Sequence, residues 1–319
     1  MAAERKFRAM GSDAHVIVVG GSGLALAAER RIADLERRWS RFDARSEISA
    51  LTRHAGSPVV VSAETRELVE HAVAAWRGTR GLFDPTVLGA LERAGYDRSF
   101  ADMPHDRTGT ATPHDVRWAL EAGAGEIVVD ESTVRLPAGT GFDAGGIGKG
   151  LAADIVVDEI LAAGAAGVCV NLGGDVRVAG TSPSGDAWTV SVDHPEQIES
   201  LARIGIATGA VATSTTLRRQ WLVRGEHRHH LIDPGTGRPS ESDLAFVTVV
   251  DGHAWTAEVL AKAILLHGTP GAFDLLGTTG AAALAVDHTG RVTASPGMAA
   301  YLADPLPDRV GARAQVGAR

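Results

Sequence analysis

The sequence has few cysteines, few aromatic residues and no concentration of positive charge. Of 319 residues, one is cysteine (Cys169), so a disulfide framework is impossible and the sequence gives no basis for a cysteine-based zinc site. The net charge is −8 with acids and bases interspersed, and this argues against nucleic-acid binding, which needs a concentrated positive surface. No apolar run approaches the roughly 18 residues of a transmembrane helix, so we expect no membrane span.

Lysine is also scarce. The chain has 31 lysines and arginines together, yet the only lysines are Lys6, Lys149 and Lys262. A compact ammonium and a planar guanidinium are not interchangeable. Because most of the cationic residues in this sequence are arginines, each lysine is a candidate for a specific role.

The first ten residues lack the apolar core of a signal peptide and a lipidation cysteine, so we expect a cytoplasmic protein. Helical and strand patterns mix without strict alternation, which favours an α+β fold. We expect one domain over residues 1–305 with a subdomain joint near 99–113. The polar segment 306–319 is expected to be a disordered tail.

Hydrophobic periodicity predicts the main elements. Helices are expected over Leu24–Trp39, Ala63–Trp76 with Ser62 as its N-cap, Leu151–Ala163, Trp255–His267 and Pro270–Leu276. Strands are expected over His15–Val19, Val168–Leu172, Trp188–Val192, Ile204–Thr208 and Ala245–Val250, with a strand pair over Gly125–Leu136.

Three segments carry residues suited to chemistry. The glycine-rich run 142–150 places Lys149 where a helix begins, and its spacing fits neither a P-loop nor a dinucleotide fingerprint. Backbone N–H groups there suit an anion, although a tight turn with a solvated lysine fits the pattern equally well. The run 229–237 offers His230 beside turn residues as a base, against the commoner structural histidine.

The third segment is an apolar helix that carries Glu258 and Lys262 one turn apart. Such a pair on a solvated helix face contributes about 0.3–0.5 kcal/mol. Here apolar residues surround the pair almost completely, so we expect it to face an interior or a cleft.

The order of motifs along the chain resembles that of the FAD:protein FMN transferases, the ApbE family. The matching segments span some 250 residues: Met10–Ser12, Ser40–Asp43 with Ser46–Ser49, Gly81–Val87, Asp143–Gly150 with Asp154, Val170–Asp175, Ala212–Ser214, His230–Gly237 and Ala257–Ala263. Each motif is weak alone, and their shared order makes the resemblance specific.

The resemblance implies two intertwined subdomains with FAD in the groove between them, cleavage of the FAD pyrophosphate, and attachment of FMN to a Ser or Thr hydroxyl of an acceptor flavoprotein. It implies Mg²⁺ at the pyrophosphate, with the Gly146 carbonyl among its ligands, and His230 as the base for the hydroxyl. By position, the implied flavin and adenine contacts are Met10, Phe42, Leu82, Phe83, Asp84, Asp143, Lys149 and Ile232. No convincing Ser/Thr-Gly-Ala-Thr acceptor motif occurs within this chain.

One departure from the family pattern concerns the metal. The family has Asp and Thr as metal ligands where this chain has Glu258 and Lys262. Glu258 keeps an oxygen ligand, whereas a protonated lysine cannot bind Mg²⁺. We therefore expect Lys262, paired with Glu258, to crowd the metal site and to neutralise the pyrophosphate itself, so that both residues join His230 as catalytic candidates.

Two alternatives remain open at this stage. The chain could keep the fold and the flavin but catalyse a diverged reaction, such as metal-independent FAD hydrolysis or transfer to a small molecule. It could also be a non-catalytic protein that binds or delivers a flavin.

Overall fold

The computed structural model describes residues 1–104, 106, 123–195, 197, 199–277 and 279–310. Within these residues it contains six α-helices: α1 (Leu24–Trp39), α2 (Glu47–Arg53), α3 (Ala63–Gly78), α4 (Leu88–Arg93), α5 (Gly148–Ala162) and α6 (Ala254–His267). The strands are β1 (Ala2–Ala9), β2 (Ser12–Val19), β3 (Val59–Val60), β4 (Val128–Val129), β5 (Thr133–Arg135), β6 (Gly167–Leu172), β7 (Asp175–Gly180), β8 (Trp188–Val192), β9 (Ala202–Ile206), β10 (Gly209–Thr215), β11 (Gln220–Val223), β12 (Glu226–His229), β13 (Ile232–Asp233), β14 (Arg238–Pro239), β15 (Leu244–Asp251), β16 (Ala282–Asp287) and β17 (Val292–Ala294).

An eight-stranded sheet forms the centre of the fold. Its strand order is β1-β2-β6-β7-β10-β15-β16-β17, and every neighbouring pair is antiparallel. Side chains alternate between the two faces of a strand, so the central strands bury apolar residues on both sides. Val168 and Val170 join the main core, in which α1, α5 and α6 pack on the sheet, whereas Val176 and Val178 join a second core on the opposite face.

The small β8–β9 sheet covers part of that opposite face. Trp188 and Ile204 pack in the second core, and the Trp188 indole donates to the Gly180 carbonyl at 2.9 Å. Two of the small sheets lie elsewhere: β3-β5-β4 beside α3, and the β11–β12 hairpin, whose Trp221 donates to the Ala94 carbonyl. The sheet therefore has helices on one side and a short hairpin on the other.

The predicted α+β class is confirmed, and most predicted elements are present. The helix Leu24–Trp39 and the strand Trp188–Val192 have the predicted bounds, and Ser62 accepts from the Thr65 N–H as the N-cap of α3. The segment Pro270–Leu276 is a short 3-10 helix over Ala272–Leu276 rather than an α-helix. The strand expected over Ile204–Thr208 lies two residues earlier, over Ala202–Ile206.

The prediction for the C-terminal segment is wrong for residues 306–310. Val310 donates to the Gly290 carbonyl, Val292 donates to the Asp308 carbonyl, and Arg291 bridges Arg309, so these residues are held against the sheet. Residues 311–319 lie outside the described part of the chain, as does most of the proposed joint near 99–113. Among the helices that are described, none has both the length and the apolar character to cross a bilayer.

Candidate functional site

Two cavities meet at the N-terminal end of α5. We call the first, of about 450 Å³, the aromatic cavity, because Trp39, Phe42, Tyr96 and Phe100 line it. The second, of about 520 Å³, is the sheet cavity, which lies between the second face of the central sheet and β8. Both cavities are lined by Gly145, Lys149, Arg219, His230, Leu231 and Lys262. We call this shared set the junction.

The junction exists because α5 and α6 approach each other closely. A Cβ on Gly150 would lie 2.4 Å from the Ala254 carbonyl oxygen, so only glycine fits at this contact. The Asp154 carboxylate on α5 accepts from the Ala254 and Trp255 N–H groups at 2.9 and 3.0 Å. It thereby caps α6, whose own N-cap residue makes no side-chain bond. These contacts bring the N-terminal half of α5 against the first turn of α6.

Lys149 is bound by two carboxylates. Its ammonium donates to Asp175 and, at 2.9 Å, to Glu258, while the other Glu258 oxygen accepts from the Gly150 N–H at 2.8 Å. Burial opposes the charged form of Lys149, yet Asp175 and Glu258 raise its pKa above the ordinary value. Burial raises the pKa of Glu258 to about 7, with Asp175 adding to the effect and Lys149 opposing it. The trio therefore carries one excess negative charge when both carboxylates are ionised.

Lys262 is buried without an ion pair in the described part of the chain. Its side chain reaches the turn before α5, where a Cβ on Gly146 would lie 3.0 Å from Nζ and 2.9 Å from Cδ. Nζ also lies 5.4 Å from the centroid of the Phe83 ring, within the range of a cation–π contact. Burial lowers the pKa of Lys262, against the attraction of Asp143, Glu258 and Asp84.

The predicted pairing of Glu258 with Lys262 is wrong. The two residues are one turn apart on α6 and both are buried, as expected, but Glu258 is bound by Lys149 and by the Gly150 N–H from α5. The reason is the close contact between the two helices, which a pattern on one helix does not reveal. Lys262 is left to extend toward Gly146 and Phe83.

His230 lies at the junction with one ring nitrogen unpartnered. Its Nδ1 is buried and has no hydrogen-bond partner among the described residues. Burial lowers the pKa of His230 well below 6.5, and the positive charges of Arg219, Lys262 and Lys149 lower it further. His230 is therefore a neutral imidazole at neutral pH, and it can accept a proton from a group that enters either cavity.

The structure brings together some of the predicted site residues and separates others. Met10, Phe42, Asp143 and Lys149 line the aromatic cavity, and Gly146, Glu258 and Lys149 line the sheet cavity. Phe83 and Asp84 lie near the Lys262 ammonium. Like Leu82, they line neither cavity. Ile232 is buried in a small core with Tyr96 and Trp221.

Two arginines at these cavities were not predicted from the sequence. The Arg41 guanidinium pairs with Asp143 at 3.2 Å and lies over the rings of Phe42 and Tyr96, with its carbon 4.2 and 4.6 Å from their centroids. Arg41 belongs to the motif Ser40–Asp43, so the motif that carries Phe42 also pointed to Arg41.

The second missed residue is Arg219. It has φ +51°, an unusual backbone conformation for a residue with a side chain, and its Nη2 donates to the Ser12 hydroxyl at 3.2 Å. It forms no ion pair with a carboxylate in the described part of the chain, although it lines both cavities. No sequence signal pointed to it.

The donor set does not fit a divalent metal at this site. Both Glu258 oxygens are already hydrogen-bonded, and Lys262 places an ammonium against Gly146, whose carbonyl was the other expected ligand. Across the part of the chain that is described, no three His, Cys, Asp or Glu side chains converge as metal ligands would. A fixed organic cation thus lies where the resemblance implied a metal ion.

Comparison with known proteins identifies the family to which this chain is similar. The model of the ApbE family matches residues 10–285. The chain is 32% identical to a FAD:protein FMN transferase of Treponema pallidum over 271 residues, covering 79% of this chain and 74% of that protein. It is 27% identical to a FAD:protein FMN transferase of Vibrio cholerae over 244 residues, covering 75% and 72%. The crystal structure of the ApbE protein from Thermotoga maritima has a TM-score of 0.84 at 26% identity and covers 95% of this chain and 100% of that one.

Proposed function

The chain belongs to the ApbE family, and from this premise we propose that it is a FAD:protein FMN transferase. In this reaction the pyrophosphate of FAD is cleaved, FMN becomes attached to a Ser or Thr hydroxyl of an acceptor protein, and AMP is released. The observation that supports it best is His230, which has an unpartnered, buried Nδ1 where two cavities meet among cationic side chains.

We assign the flavin nucleotide to the aromatic cavity. Phe42 is exposed and offers a ring face for the isoalloxazine, while the Arg41 guanidinium and the buried Tyr96 ring pack against Phe42. The pyrophosphate then lies at the junction, beside the N-terminal end of α5, where the helix dipole favours negative charge. Met10, Asp143 and Lys149 border the same space, which supports for them the flavin-nucleotide contacts that the resemblance implied.

Phosphoryl transfer depends mainly on positioning and on neutralising charge in the transition state. The acceptor oxygen forms a bond to the FMN phosphorus as the bond from that phosphorus to the bridging oxygen breaks, and AMP leaves with the bridging oxygen. His230 takes the hydroxyl proton. A bound pyrophosphate offsets the positive charges that lower the pKa of His230, so the base becomes stronger once FAD is in place.

We further propose that the Lys262 ammonium takes the place of the Mg²⁺ ion that the resemblance implies at the pyrophosphate. Its ammonium lies against Gly146 at the first turn of α5, in reach of an anion bound there. No step of the mechanism above is routed through a metal. The same observation supports the second candidate function, metal-independent hydrolysis of FAD, in which water takes the place of the acceptor hydroxyl.

One incubation separates these functions. The chain is mixed with FAD and a peptide that carries Thr-Gly-Ala-Thr, with EDTA present, and the products are analysed by mass spectrometry and chromatography. FMN bound to the peptide together with AMP supports the transferase, and AMP without modified peptide supports the hydrolase. FAD that stays unchanged both in EDTA and after Mg²⁺ is added contradicts both functions. His230→Gln is expected to abolish transfer, whereas His227→Gln, an exposed histidine on β12, is the matched control.

The acceptor is expected to be a flavoprotein with a Ser or Thr site. The cytoplasmic location stays a prediction from the sequence, which cell fractionation tests.

A further inference from the structure

The sheet cavity runs along the open edge of β8. Every residue from Trp188 to Asp193 lines it. Successive side chains of a strand point to opposite faces, so a cavity that touches every residue of β8 reaches both of its faces and passes along its edge. By contrast, the central strands β2 and β6 contribute alternate residues, as a face does: His15 and Ile17, Cys169 and Asn171. Strand β10 contributes Val211 and then consecutive residues where it ends, Thr213–Thr215. The hydrogen bonds of β9 show which backbone groups the edge of β8 carries.

The backbone groups on that edge belong to Thr189 and Ser191. On β9, Gly205 donates to the Tyr301 carbonyl and the Arg203 carbonyl accepts from Ala303, so these two residues face away from β8. Hydrogen bonding alternates along an antiparallel pair. The residues of β9 that do face β8 are therefore Ala202, Ile204 and Ile206, and the register places them opposite Val192, Val190 and Trp188.

It follows that Thr189 and Ser191 direct their N–H and C=O groups outward, along the cavity. Within the described part of the chain, β8 pairs with β9 and with no second strand. The side chains of Thr189 and Ser191 are exposed. An open edge of this kind is a template for an added strand.

The charge of the cavity favours an acidic partner. The cavity lining includes three carboxylates, Asp175, Asp193 and Glu258, two of which are already bound to Lys149. Arg218 and Arg219 also line the cavity, and neither forms an ion pair with a carboxylate among the described residues. A bound segment with a carboxylate close to its hydroxyl residue would complement them. The floor of the cavity is formed mostly by small or polar side chains, which leaves room for an extended backbone.

We propose that the sheet cavity is the docking site of the acceptor protein, and that an extended acidic segment of that protein pairs with the free edge of β8. Backbone hydrogen bonds to Thr189 and Ser191 supply affinity and set the register, as in other cases of strand addition. The segment then carries its Ser or Thr hydroxyl to His230, while FAD occupies the aromatic cavity. This assignment rests on the proposed function for the identity of the occupant.

The test compares Ser191→Pro with Ser191→Ala in the chain loaded with FAD. Proline removes the outward N–H and is tolerated on an edge strand, whereas alanine keeps the backbone donor and removes only the hydroxyl. The probe is a fluorescent peptide with one Asp followed by Thr-Gly-Ala-Thr, and binding is measured by anisotropy. We expect Ser191→Pro to weaken peptide binding by about tenfold or more, Ser191→Ala to leave it nearly unchanged, and neither to alter FAD affinity.

A second measurement uses the unaltered chain. Single N-methyl groups are placed along the peptide, and binding should weaken at every second position, because alternate N–H groups face β8. Equal binding to both variants, or an N-methyl pattern without this alternation, would overturn the docking site. Binding does not require turnover, so a chain that shows these effects but modifies no peptide would contradict the proposed function and leave the docking site in place.

Discussion

Replacing Lys262 tests whether a fixed ammonium serves as the cation of the site. Lys262→Met removes the charge and keeps much of the apolar stem, whereas Lys262→Thr removes the charge and adds a neutral oxygen. We expect the methionine variant to lose metal-free FAD cleavage. The threonine variant should lose it as well, and should gain activity as Mg²⁺ is added, because the hydroxyl and Glu258 can then act as oxygen ligands.

The size of the loss follows from the position of Nζ. It lies 3.0 Å from where a Cβ on Gly146 would stand, so an anion bound at that turn is roughly 4 Å from the ammonium. Two unit charges at that separation attract by about 4 kcal/mol when the effective dielectric constant is about 20. Each 1.36 kcal/mol is about a factor of ten in rate, and Lys149 and Arg219 share the same anion. We therefore expect a loss between about 10² and 10³.

The assay follows AMP release from FAD by chromatography, first in EDTA and then across a Mg²⁺ titration. Lys6→Thr is the matched control, since Lys6 is exposed on the edge strand β1 and should leave both conditions unchanged. Wild-type activity that vanishes in EDTA and returns with Mg²⁺ would refute the reasoning. So would a methionine variant with the wild-type rate in EDTA.

Three further changes test other parts of the site. Folding lowers the pKa of His230, so below about pH 6.5 the unfolded chain binds the proton first, and the free energy of unfolding falls by up to about 1.4 kcal/mol per pH unit. Denaturation measured from pH 8 to pH 5, roughly the range in which histidine titrates, should show a smaller fall for His230→Gln than for the wild type, and an identical fall would contradict this. Arg219→Gly should remove about 1 kcal/mol of backbone strain at the positive φ of this residue and so raise the melting temperature. The same change should weaken FAD binding about tenfold in a titration, and an unchanged affinity would mean that Arg219 does not contact the phosphates. The buried Arg177 guanidinium lies 2.9 Å from the Asp154 carboxylate, and Asp154→Asn leaves it without a counter-ion. The change should lower the free energy of unfolding in urea by about 3 kcal/mol while each folded molecule keeps its FAD affinity, and a loss under about 1 kcal/mol would contradict the buried ion pair.

The parts of the fold that could be predicted are those with a clear local period. The stretch Leu24–Trp39 repeats apolar residues at helical spacing, and Trp188–Val192 alternates buried and exposed positions, so each was located from its own residues. Strand β1 could not be, because its polar residues are at a sheet edge and their order comes from pairing with β2. Tertiary pairing also fixes residues 306–310, which composition alone marked as a tail.

The candidate site shows the same division. Motif order placed Lys149, His230, Glu258 and Lys262 in one region, and all four line the sheet cavity. The sequence spacing of these residues does not show which of them form ion pairs, since Glu258 and Lys262 have the ideal separation for an ion pair on one helix and yet do not pair with each other. The partner of Glu258 comes from α5, and the contact depends on Gly150 permitting the close approach of two helices that are separated by about a hundred residues of sequence.

The arrangement of charges explains why a buried ammonium persists at this place. Around the junction the structure sets four cationic groups near four carboxylates: Arg41, Lys149, Arg219 and Lys262, with Asp84, Asp143, Asp175 and Glu258. When both carboxylates are ionised, the trio of Lys149, Asp175 and Glu258 carries one excess negative charge, and Lys262 offsets that charge without forming an ion pair with either carboxylate. A divalent ion in the same position would add a second positive charge and would need Glu258 to leave Lys149. Restoring a metal site therefore requires removing the Lys262 ammonium first, which is why threonine at this position, rather than added Mg²⁺ alone, is the decisive change.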